Sequence, residues 1–130
     1  MQPDLIARFL VTAFFAVVFL QSALDKLTDW EGNLAYFQDH FKSGPFPAAT
    51  IPPVLALLTL IEFAAGSLCA LGILTGGWTQ RGFSVAACGV AMSGVALLCL
   101  LLGQRLAKDY TGAAVVAAYF AVVVLGLVAF

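Results

Sequence analysis

An all-α fold follows from this sequence: a four-transmembrane-helix bundle with a short amphipathic interfacial helix in its first loop, forming one membrane domain over residues 1–130. Three observations predict it. The chain is 62% apolar and only 10% charged, with a mean hydropathy of +1.02, where soluble domains carry about 45–50% and about 25%. Four segments reach the roughly 20 apolar residues a helix needs to cross a bilayer core of about 30 Å. Lipid offers no partner to unpaired backbone, so segments in so short a chain are helices rather than strands.

The first segment, Leu5–Leu27, follows an amino terminus without a basic region or a small-residue cleavage site, and is expected to be retained as a membrane helix. The long first loop opens on Thr28-Asp29-Trp30-Glu31, which fits a capping box with Thr28 as N-cap and Glu31 returning to its amide. Beyond it Trp30, Leu34, Phe37 and Phe41 recur at helical spacing while Glu31, Gln38, Asp39 and Lys42 fall elsewhere. This predicts an interfacial helix over about 29–42, stopped by Gly44-Pro45. Pro45, Pro47, Pro52 and Pro53 stiffen the approach to the second segment, Pro53–Leu74. The short links Thr75–Gln80 and Gly103–Tyr110 make the third segment, Arg81–Leu102, and the fourth, Thr111–Phe130, antiparallel neighbours of what precedes them. Small residues at Gly66-x-x-x-Ala70, Gly89-x-x-x-Ser93 and the ladder Ala113, Ala117, Ala121 read as packing seams.

Several function classes are excluded. A net charge of -1 leaves no basic face for nucleic acid. One histidine, His40, and three cysteines without ligand or dithiol spacing leave no metal, haem or disulfide framework. No zinc-protease, nucleophile-elbow, phosphate-loop or dinucleotide motif is present. No catalytic residue is assigned.

Glu62 is the most informative residue, because it lies near the middle of the second segment. An acidic side chain at that depth costs roughly 2.5–3.5 kcal/mol. It is therefore expected to be uncharged and bonded internally, either as a ligand or proton site or as a hydrogen bond that sets helix register. Tyr119 and Ser93 fall at the same depth by helical rise, and Gln21 lies nearer the first loop. With Glu62 they form a candidate polar cluster suited to a quinone head or a lipid carbonyl. On the first segment Arg8, Thr12, Phe15, Phe19, Ser22 and Lys26 share a stripe. Arg8 and Lys26 stand about 27 Å apart along a helix axis and are expected to mark opposite interfaces by snorkelling. Asp25, Lys26, Arg105 and Lys108 gather at one mouth, either as an ion-pair network or as a head-group or partner contact. Lys26, Lys42, Arg105 and Lys108 against Arg8 and Arg81 place both termini outside by the positive-inside rule.

Arg8, the run Phe19-Leu20-Gln21-Ser22-Ala23-Leu24-Asp25-Lys26-Leu27, the proline-containing aromatic loop, Glu62-x-x-x-Gly66 and Leu71-Gly72 together resemble the DoxX family of small four-helix membrane proteins. Where that family usually carries a glycine before the lysine, Ser22 and Ala23 stand here. The resemblance matches Arg8, Lys26 and Glu62 to the family pattern. It implies a bacterial cytoplasmic (inner) membrane protein linked to quinone-dependent redox complexes. Three readings follow: a subunit that assists a quinone-linked oxidoreductase or another membrane complex, without independent turnover; a stand-alone lipid- or small-molecule-binding or transport protein; and a purely structural subunit. The expected companions are membrane lipids, other membrane subunits and a bound quinone or lipid, with no intrinsic cofactor.

Overall fold

The computed structural model describes residues 2–130. It is all-helical among them, with α1 at Pro3–Thr28, α2 at Trp30–His40, α3 at Ile51–Leu74, α4 at Val85–Leu106 and α5 at Tyr110–Ala129. Single 3-10 turns at Ala48–Thr50 and Gly77–Thr79 precede α3 and follow it. The four helices α1, α3, α4 and α5 are each long and apolar enough to span a bilayer, and the fold is that of a multi-pass membrane protein. Neighbours run round the bundle in the order α1, α3, α4, α5, and α5 closes back on α1.

Glycines let the helices approach at the two broadest seams. A Cβ on Gly66 would stand 2.7 Å from the backbone nitrogen of Leu20 in α1. One on Gly89 would stand 2.6 Å from the backbone nitrogen of Cys69 in α3. Both seams named from sequence are therefore packed, but the alanine ladder is not: Ala113 is buried, whereas Ala117 and Ala121 face outward. The reason is the rotation of α5, which turns Ala113, Val116, Val123 and Gly126 inward. Phe15, Phe19, Cys69, Val90 and Leu97 fill the centre.

Several boundaries differ from the expected ones, each for a local reason. Helix α1 runs through Thr28, whose hydroxyl donates back to Leu24 O at 2.9 Å. The expected capping box does not form: Asp29, not Thr28, is the N-cap of α2, its carboxylate accepts from Gly32 N at 3.2 Å, and the residue at the reciprocal position is a glycine with no side chain to return a bond. Asp29→Ala is expected to cost α2 about 1 kcal/mol, which speeds amide exchange at Glu31–Leu34 about fivefold. Unchanged exchange would show that tertiary contact alone holds this helix. Helix α3 begins at Ile51 rather than Pro53, since prolines sit without penalty in a first turn whose N–H groups have no intrahelical acceptor. Helix α4 begins at Val85, not Arg81. Gly82 takes a φ of +82° and donates its amide to Phe130 O at 2.7 Å, and Ser84 caps by accepting from Ala87 N. At its other end α4 continues to Leu106, and Lys108 turns the chain at a φ of 60°. Asp109 then caps α5 through Gly112 N at 2.9 Å.

Helix α2 lies against the ends of α1 and α3. Trp30, Leu34, Phe37 and Phe41 are its half-buried face, and Glu31, Gln38, Asp39 and Lys42 are exposed.

Candidate functional site

Antiparallel packing of α1 and α3 sets Ser22 level with Glu62, as it sets Leu20 against Gly66. One helical turn beyond Ser22, the Lys26 chain reaches back to the same carboxylate. Lys26 Nζ lies 2.9 Å from Glu62 Oε1 and donates to Ser22 Oγ at 2.7 Å, and Ser22 donates to Glu62 Oε2 at 2.7 Å. The three groups close a ring. Glu62 is 2% exposed and Lys26 is 7% exposed, so the ring is buried in the bundle.

This corrects the expected surroundings of Glu62. Its partner is an ammonium from the end of α1, not a midplane hydroxyl, because the stagger of the two helices carries Lys26 inward instead of to the interface. Tyr119 is 37% exposed and packs edge-on to Phe14 on the outer face. Ser93 is buried, yet its hydroxyl donates to Gly89 O at 2.8 Å and its other neighbour is Cys69 Sγ at 3.9 Å. Gln21 faces outward. Glu62, Tyr119, Ser93 and Gln21 are therefore not brought together as one cluster.

The expected mouth network is also dispersed. Asp25 is exposed, Arg105 lies over the Tyr110 ring at 4.9 Å, and Lys108 is exposed. Among the described residues no ion pair joins Asp25, Lys26, Arg105 and Lys108. At the opposite end Arg8 is buried, not snorkelling. Its guanidinium donates to Thr79 O at 3.2 Å and pairs with Asp4 at 3.5 Å, and Asp4 also meets Arg81. The first-segment stripe is thus the core face of α1. Arg8 satisfies the backbone of the turn after α3, while Lys26 satisfies the carboxylate within it.

A second feature was not legible in the sequence. Under α2, against α3 and the end of α4, lies a groove of about 380 Å³ whose walls include Phe37, Phe41, Leu55, Leu58, Ile61 and Leu100. His40 and Gln104 also line it, and His40 Nε2 lies 2.7 Å from Gln104 Oε1. The aromatic stripe of α2 pointed to one wall. The His40–Gln104 contact joins residues far apart in sequence, and no local pattern announces it.

Chemically, the two features differ. The Lys26–Ser22–Glu62 ring spends its polar atoms on itself, and Oε1 meets nothing but the ammonium. The groove is apolar, open-sided and polar at one end. No three His, Cys, Asp or Glu side chains converge on a metal position among the described residues. Fold and site together define a multi-pass helical membrane protein with a buried ion pair and a lateral apolar groove. Comparison with protein families, with curated proteins and with solved structures finds no match.

Proposed function

We propose that this chain is a small integral membrane subunit that assists a quinone-linked oxidoreductase or another membrane complex. It has no turnover of its own and carries a quinone or lipid. The observation that carries this reading is the outer face of α5, where Ala114, Ala117, Ala118 and Ala121 are exposed. In lipid, helices associate through small residues that let backbones approach. A small-residue face left uncovered by the chain's own bundle suits a helix from another subunit. The likeness to DoxX proteins in Arg8, Lys26 and Glu62 supports a redox complex of the bacterial inner membrane, and the loop count of Lys26, Lys42, Arg105 and Lys108 against Arg8 and Arg81 supports termini outside. A stand-alone lipid- or small-molecule-binding protein is the second reading, favoured by the groove under α2.

Native electrophoresis after mild solubilisation tests the first reading. The chain is expected in an assembly much heavier than its own 13.6 kDa. Ala117→Leu with Ala121→Leu is expected to release it, since leucine on a lipid-facing position leaves the bundle intact but holds a partner helix away. The reading fails if the chain runs alone or as a simple homo-oligomer. It fails equally if the purified protein oxidises a quinol analogue by itself at a rate that Glu62→Gln abolishes.

A further inference from the structure

We infer that the groove beneath α2 binds one molecule of an uncharged, single-chain amphiphile, with its tail along α3 and α4 and a hydroxyl-bearing head at His40. The inference deepens the subunit reading and rests on it for the membrane setting. It replaces Glu62 by the groove as the ligand position.

Four observations lead there. The volume, about 380 Å³, falls within the roughly 300–1,000 Å³ of small-molecule sites. The walls are apolar, and their outer edge, Val54, Leu57 and Leu102, is exposed where lipid chains lie. A chain can therefore enter sideways from the bilayer without crossing water. No Lys, Arg, Asp or Glu lines the groove among the described residues. At its polar end the Asp109 carboxylate lies 3.8 Å from His40 Nε2. A phosphate or carboxylate head would find no lysine or arginine in the lining and would face the Asp109 carboxylate beside His40, which favours a neutral head.

The fourth observation gives the head its chemistry. His40 Nε2 lies 2.7 Å from the Gln104 amide oxygen, which can only accept, so the imidazole tautomer that satisfies this contact carries its proton on Nε2. Nδ1 is then an acceptor, and a hydroxyl is the group that donates to it. The Tyr36 ring stacks on His40 with centroids 5.6 Å apart and lines the same groove, adding a flat wall and a phenolic hydroxyl. Glycerol monoesters and long-chain quinols both present such a head on one apolar chain.

Native mass spectrometry of the full chain released from dodecyl maltoside micelles tests this with four probes: monoolein, decylubiquinol, methyl oleate and oleoyl lysophosphatidylglycerol. One adduct per chain is expected with a hydroxyl-headed neutral probe. Methyl oleate, which has no donor, and the anionic lysolipid are expected to be retained about tenfold less, the worth of one hydrogen bond. Retention of monoolein alone identifies an acylglycerol and of decylubiquinol alone a quinol; either result, or both, supports the inference. His40→Ala is expected to lower that retention about tenfold, to the level of methyl oleate. Leu58→Trp fills the groove and is expected to abolish the adduct. Leu57→Trp does so from a position 58% exposed, where a larger side chain is compatible with folding. The inference is overturned if neither hydroxyl-headed probe is retained, if methyl oleate or the lysolipid is held as well as they are, or if the adduct survives both tryptophans. The native-gel mass does not depend on the groove, so loss of the ligand site and loss of the subunit reading are separate results.

Discussion

Lys26→Met is expected to destabilise the bundle by about 3–5 kcal/mol, because it leaves the Glu62 carboxylate buried without its counter-charge. Glu62→Leu strands the ammonium in the same way, although a lysine near the end of α1 recovers part of the loss by extending toward the interface. Glu62→Gln lies between them: the amide keeps a hydrogen bond with Ser22 but no longer neutralises Lys26. The double variant Lys26→Met, Glu62→Leu is expected to return close to the parent, since two apolar side chains of similar volume remove both desolvation costs together. Equilibrium unfolding by titration with a denaturing detergent measures all four. A double variant as unstable as the sum of its singles would show that the two residues are not coupled, and that the distance of 2.9 Å carries no energetic weight. The lysine, the serine and the glutamate are in that sense one unit that sets α1 against α3.

A second large effect is expected at Gly89. A methyl there meets the backbone nitrogen of Cys69 at 2.6 Å and its sulfur at 2.7 Å, and the backbone of a neighbouring helix cannot step aside. Gly89→Ala should therefore separate α3 from α4 at the cost of overpacking, about 3 kcal/mol. Gly94→Ala is the control on the same helix. Its added carbon meets the end of the Val123 side chain at 3.1 Å, which can shift, and less than about 1 kcal/mol is expected. Cys69→Ala should not rescue Gly89→Ala, because removing the sulfur leaves the backbone contact in place. The same detergent titration reads the three variants. Equal losses at positions 89 and 94 would mean that the α3–α4 seam is looser than the geometry states.

The class of fold and its four long helices were legible from composition and segment length, because the bilayer imposes both: about 20 apolar residues per crossing, and no unpaired backbone. The amphipathic face of α2 was legible for a similar reason, since helical spacing alone gathers Trp30, Leu34, Phe37 and Phe41 on one side. Helix ends were less so. Thr28 and Asp29 are both good caps, and which one serves depends on where α1 stops. Arg81 belongs to the apolar run by hydropathy, but the Gly82 amide is drawn to Phe130 O at the chain's far end.

By itself the sequence determined that the protein is helical, that it is built to lie in a membrane, and that one carboxylate, Glu62, is held within it, because hydropathy and period are local properties. Only the tertiary structure decided what Glu62 meets. Depth along separate helices suggested Tyr119 and Ser93, but partners depend also on rotation and stagger, which turn Tyr119 outward, bond Ser93 to its own helix and bring Lys26 inward. The groove under α2 was decided in the same way: its walls come from three helices, and an apolar space between elements exists only once they are packed.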